Sequence, residues 1–306
     1  MKVRISTIYY SFYVYIIRAY NTTVFSDEYD HASLYERIAV RCPSLTEISG
    51  KRIDDPGLLA LSMLTNSTLT SVTFTDAIFT DSAVDVLCKS CCSLTCLVLE
   101  MRGFDDDIVT DEAVSSIVKH CPGIEHLSLS GWNELTDASL TALIALTSLK
   151  TLNLTRCSGL TSAGVQSMLR STGANIEALI LSQAGEDYPF QYCDDALLRC
   201  LGDCCPKLMS FSVAIESLGG DATEASLLAF IRGCPLLEAL HLHSHHITDT
   251  VLIELADNCP RLAILKLGYG TFTDTGIATL SSKCKHLVVL SLEKPAFQSF
   301  VSISLQ

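Results

Sequence analysis

The chain is poor in positive charge. It has 21 Lys and Arg residues against 34 Asp and Glu, a formal net charge of -13, and no basic cluster. A nucleic-acid backbone and an anionic membrane both reward clustered Lys and Arg, so neither is expected as a partner. Aromatic residues make up only 7% of the chain, and there is a single tryptophan, Trp132. No apolar run approaches the roughly 18 residues of a membrane span. The first twenty residues carry Lys2, Arg4 and an apolar, Tyr-rich stretch. They lack the small-residue cleavage site of a signal peptide, and a targeting segment is not expected.

What is abundant is leucine and cysteine. Fourteen cysteines in a chain of 306 residues are too many for chance and too widely spread for the disulfide framework of a short secreted domain. Reduced, buried thiols and a cytoplasmic or nuclear location are expected instead.

The order behind this composition is a repeat. An apolar-x-x-apolar-x-apolar pattern begins at Leu45, Leu69, Leu94, Ile124, Leu149, Ile176, Leu208, Leu237, Leu262 and Leu287, at intervals of 24 to 32 residues. Alternate apolar residues share one face of a strand. Each unit then continues Asp-x-x-apolar-x-x-apolar-x-x-x-Cys, as in Asp81/Val84/Leu87/Cys91, Asp111/Val114/Ile117/Cys121, Asp249/Leu252/Leu255/Cys259 and Asp274/Ile277/Leu280/Cys284. Spacings of three and four put those apolar residues and the Cys on one helical face. The Asp is read as the N-cap. Cys followed by Pro, as at Cys42-Pro43, Cys121-Pro122 and Cys234-Pro235, ends the helix and returns the chain to the next strand.

Neither the strand nor the helix can bury its apolar side alone, so stability must come from stacking neighbouring units. The expected fold is an α/β leucine-rich-repeat solenoid, a horseshoe with parallel strands on the concave face and helices on the convex face. Residues 1–41 are read as a degenerate N-terminal repeat, 42–293 as an array of about ten units and 294–306 as a C-terminal tail or partial cap.

The unit CPxLxxLxLxxxxxxTDxxLxxLxxxC, clearest from Cys121 to Asp137 and from Cys234 to Asp249, resembles the cysteine-containing leucine-rich repeats of F-box proteins and of the antagonist-of-mitotic-exit family. That resemblance implies a protein-binding module, with a protein substrate or peptide as partner. It points to substrate recognition in a cullin-type ubiquitin ligase, the adaptor being reached through a missing or separate F-box. No Leu-Pro start followed by a helical trio with a terminal Trp is legible in the chain. A free-standing repeat scaffold or inhibitor with no ligase role is the alternative.

No residues are read as catalytic, and neither a cofactor nor a metal is assigned. His241, His243 and His245 alternate along one strand and so share a face, but no carboxylate or thiolate on the adjacent strands completes a metal shell. Cys88/Cys91/Cys92/Cys96 and Cys200/Cys204/Cys205 fall at helix ends, where a thiol packs as a small hydrophobe. Asp105, Asp106 and Asp107 lack the spacing of a calcium loop and read as a solvated insertion. The concave face is predicted to carry the partner-binding residues Ser128, Asn153, Ser212, His241, His243 and Lys266, the last three making its C-terminal part partly cationic. Trp132 is either packed beneath its loop or a rim anchor for a partner.

Overall fold

The computed structural model describes residues 35, 38, 42, 44–63, 68–101, 109–181, 194–213, 222–268, 270–293 and 301–304. The degenerate repeat read at 1–41 lies outside these apart from Tyr35 and Ile38. The Asp105–Asp107 insertion and most of the tail lie outside them too. Two compact units are formed, within Tyr10–Leu160 and within Thr161–Gln306.

In the first unit the order is β1 (Glu47–Lys51), α1 (Asp55–Ser62), β2 (Ser71–Ala77), α2 (Asp81–Ser90), β3 (Cys96–Met101), α3 (Asp111–His120), β4 (His126–Ser128), α4 (Asp137–Leu143) and β5 (Thr151–Asn153). Each strand pairs in parallel with the next, and the register stacks Val72, Leu97, Leu127 and Leu152 as one rung. The second unit runs α5 (Ser162–Thr172), a 3-10 turn (Gly173–Asn175), β6 (Ala178–Ile180), α6 (Asp195–Cys204), β7 (Ser210–Val213), α7 (Glu224–Gly233), β8 (Ala239–His243), α8 (Asp249–Asn258), β9 (Ile264–Gly268), α9 (Asp274–Lys283), β10 (Val289–Glu293) and β11 (Val301–Ser304). Its rung is Leu179, Phe211, Leu240, Leu265 and Leu290. Strand and helix alternate throughout, as in an α/β leucine-rich-repeat solenoid. The leucines of the strand pattern face the helices, with Leu127, Leu152, Leu179 and Leu265 fully buried.

β11 departs from the rule. It returns antiparallel onto β10, pairing Leu290 with Ile303 and Leu292 with Val301. The end of the tail thus adds a strand to the last repeat.

The structure corrects the reading of the helix starts. The N-cap is the Thr before the acid, namely Thr80, Thr110, Thr136, Thr223, Thr248 and Thr273, and the acid is the first helical residue. Four of these threonines, Thr110, Thr136, Thr223 and Thr273, accept an amide bond from their own helix through the side chain. The Asp carboxylate reaches the following repeat instead. It accepts the backbone N–H and the hydroxyl of that repeat's cap Thr, as in Asp55 with Thr80 (2.7 and 2.8 Å), Asp81 with Thr110 (2.8 and 2.7 Å) and Asp249 with Thr273 (2.7 and 2.6 Å). Asp111 and Asp195 do the same for Thr136 and Thr223. The Thr273 hydroxyl and then its amide hold the Asp249 carboxyl below the ordinary carboxylate range.

The junction cysteines form a second ladder on the inside. Cys121 Sγ donates to the carbonyls of Cys91 (3.5 Å) and Cys88 (3.6 Å), Cys234 to those of Cys205 (3.6 Å) and Leu201 (3.7 Å), and Cys259 to that of Cys234 (3.7 Å). The thiol is a second donor to carbonyls at the C-terminus of the preceding helix, most of which already accept a backbone amide, as the Cys91 carbonyl does from Leu94, that of Cys205 from Leu208 and that of Cys234 from Leu237. These cysteines are buried and free, whereas Cys42 and Cys92 are exposed. At Cys42 the expected burial therefore fails, while its backbone keeps the junction pattern, its amide donating to the Ile38 carbonyl and its carbonyl accepting from the Leu45 amide.

Candidate functional site

The strand face of the first unit is a laterally bonded polar surface. Strand alternation places Thr73, Val98, Ser128 and Asn153 in one row across the sheet. Asn153 Nδ2 donates to Ser128 Oγ at 3.0 Å, and Ser128 Oγ donates to Glu100 Oε1 at 3.0 Å. Asn153 is fixed in turn, its Oδ1 accepting from the Thr155 amide (3.0 Å) and hydroxyl (2.6 Å). Ser128 is 0% and Asn153 6% exposed. These two predicted contact residues are thus brought together, but as supports. The group they orient is Glu100, a half-buried carboxylate whose pKa burial raises above the ordinary range despite the Ser128 bond.

No signal within its own repeat marks Glu100 as a centre, because its supports come from the next two repeats. At one equivalent position of several units the backbone is left-handed, at Arg52 (φ +57°), Asp76 (φ +56°), Gly131 (φ +84°) and Arg156 (φ +61°). Gly131 is required here on two counts. Its φ is costly for a side chain, and a Cβ would lie 2.9 Å from the Met101 carbonyl. Arg156 donates to that same carbonyl at 2.9 Å.

Trp132 is 0% exposed, donates its indole N–H to the Leu99 carbonyl at 2.8 Å and meets Phe79 edge-on with ring centroids 5.6 Å apart. It is a core residue beneath its loop and presents no surface to a partner, which removes the rim-anchor reading. Its satisfied N–H is the usual condition for burying an indole.

In the second unit the register sets Ser212, His241, Lys266 and Ser291 side by side on β7 to β10. His241 Nε2 lies 3.1 Å from His243 Nε2, with ring centroids 4.9 Å apart and ring planes at 75°. His241 Nδ1 lies 3.3 Å from Ser212 Oγ. The His243 ring sits over Gly268 on the neighbouring strand, where a Cβ would come within 2.8 Å of the imidazole. Glycine in a strand often marks such a close approach, and Gly268, the last residue of β9, was the available sequence signal for it.

Four of the predicted residues, Ser212, His241, His243 and Lys266, are therefore grouped. Ser212 and His243 are buried, while His241 and Lys266 are half-buried. Burial, then His243 and Lys266, push the His241 pKa down to about 4. His241 is neutral at pH 7, so it drops out of the expected partly cationic patch. His245 and His246 are exposed beyond the strand.

No protein-family model and no characterised protein sequence matches the chain. Solved structures do. A chain from the crystal structure of the Rad7 and Elc1 complex in yeast aligns with a TM-score of 0.55 at 16% identity, covering 80% of this chain and 68% of that chain. A protein from Bacteroides fragilis aligns with a TM-score of 0.48 at 17% identity, covering 92% of this chain and 76% of its own. The first likeness supports the α/β repeat solenoid. The second is too distant to add to it.

Proposed function

We propose that this chain is a non-catalytic, protein-binding repeat module of the cysteine-containing leucine-rich-repeat type. Its specific task, on this reading, is to recognise a protein substrate for a cullin-type ubiquitin ligase. The supporting observation is the fold likeness to a chain crystallised as part of the Rad7 and Elc1 complex, taken with the Cys-Pro and Thr-Asp signature of the repeats. Reduced thiols suit a cytoplasmic or nuclear setting. Partner contact is assigned to the strand faces, with Lys266 and His241 as the outward groups of the second unit. Ser212 and His243 support them, as Ser128 and Asn153 support Glu100.

The test is affinity purification of the full chain with identification of bound proteins by mass spectrometry. Recovery of a cullin and its adaptor supports the ligase assignment. A stable complex without either favours a free-standing scaffold or inhibitor. Replacing His241 and Lys266 with Ser should reduce recovery of the main partner and leave the melting curve unchanged. Undiminished recovery would move the contact surface elsewhere.

A further inference from the structure

β8 carries His241 and His243 on one face because alternate residues of a strand point the same way. Alternation alone leaves two rings free to diverge. Here the two Nε2 atoms converge to 3.1 Å, and both rings are held from behind. Ser212 Oγ contacts Nδ1 of His241 at 3.3 Å. The His243 ring is lodged against Gly268. A hydrogen bond on one imidazole nitrogen that leaves the other to converge with a second ring is the usual outer support of a metal-ligating histidine.

We propose that His241 and His243 form a two-nitrogen chelate for a divalent transition metal of the imidazole-preferring class, with Cu2+ bound ahead of Ni2+ and Zn2+. At the usual metal–nitrogen distance of about 2.0–2.1 Å, nitrogens 3.1 Å apart subtend roughly 95–102° at the ion. That angle lies between the cis angle of a tetragonal site and the tetrahedral angle. Copper heads the affinity order for such donors and accepts tetragonal geometry.

Among the described residues no group of three or more His, Cys, Asp or Glu gathers round a common point. As far as the described residues go, the remaining coordination positions are left to water or to a donor from a bound partner. Lys266, paired with His241 in register, opposes a bound cation by its charge. Its half-buried side chain is long enough to turn aside. The site does not depend on the ligase reading.

The competing ligands are His245 and His246, so the experiment separates the two pairs. The full chain, free of any histidine tag, is titrated with CuCl2 by calorimetry at pH 7.5, and the complex is examined by electron paramagnetic resonance. One saturable equivalent with splitting from two imidazole nitrogens is expected. His241→Gln and His243→Asn should each weaken binding at least tenfold, the double variant His245→Asn/His246→Asn should leave it unchanged, and Lys266→Gln should tighten it severalfold. Circular dichroism melts show which variants fold, and His241→Gln, altering a half-buried residue, is the decisive one if His243→Asn does not. The proposal is overturned by the absence of saturable binding, by wild-type affinity in folded His241→Gln, or by loss of the site in the His245/His246 double variant.

Discussion

Asp249 and Thr273 stand 24 residues apart, yet the carboxylate of the first accepts both the amide (2.7 Å) and the hydroxyl (2.6 Å) of the second. The first residue of one helix thereby fixes the cap of the next, and a third bond, from the Gly276 amide at 3.2 Å, ties in the following turn. Asp249→Ala and Thr273→Val should each lower the melting temperature, and the double variant should fall little below the worse single one. Strictly additive losses would show that the two residues act separately.

The same ladder makes the protein acid-sensitive. Hydrogen bonds hold Asp249 below the ordinary carboxylate range, so its stabilising contribution is complete above the unfolded-state pKa and is lost as pH falls through the folded one. A plot of melting temperature against pH should drop below about pH 4, the unperturbed Asp range. In Asp249→Asn the drop should be shallower.

Glu100 behaves in the opposite sense. Burial raises its pKa, so its ionised form is disfavoured in the fold and destabilises it as pH rises above the unfolded value. Glu100→Gln keeps an acceptor for Ser128 and removes the charge. It should melt higher than wild type at pH 7, with the gain shrinking toward pH 4. A variant less stable at pH 7 would mean that the carboxylate is fully compensated.

Leu242 is 2% exposed in β8, so Leu242→Ala should cost about 2–5 kcal/mol through the cavity it leaves. Chemical denaturation measures this directly. A loss well under 1 kcal/mol would contradict the strand register.

Thiol reactivity should divide the cysteines by place in the repeat. Cys42 and Cys92 are exposed, while Cys205 and Cys259 are buried with pKa values pushed up to about 12 by burial first. Brief alkylation of the native protein at pH 8 should label the first two and spare the latter two, as read by peptide mass spectrometry. Unfolding in denaturant should expose all of them.

The repeat period, the strand rungs and the helical stripe were legible because each is set by apolar spacing within one unit. The Thr-Asp pair was visible at five helix starts, Thr80-Asp81, Thr110-Asp111, Thr136-Asp137, Thr248-Asp249 and Thr273-Asp274, but was assigned to a single role. One helix needs one cap, and the recurrence of a second polar residue beside it was the sign of a partner in another unit. The residues expected to contact a partner do lie on strands, yet the burial of Ser128, Asn153, Ser212 and His243 was not foreseen. At a strand spacing of about 4.8 Å, small side chains such as Ser128 and Ser212 lie below their larger neighbours Glu100 and His241. Trp132 shows the same limit. Its sequence context leaves core and rim open, and only the Leu99 carbonyl from the preceding repeat decides between them.

A row of parallel strands presents unpaired amides and carbonyls at its last member, an invitation to another molecule to continue the ladder. On β10 that position is taken by β11, which runs the other way. A further repeat, whether from a second copy of this chain or from an unrelated solenoid, would need a parallel edge on β10 and finds it occupied. End-to-end polymerisation through β10 would therefore begin with the peeling away of Val301–Ser304, so the rate at which that short strand detaches would govern filament nucleation from this end.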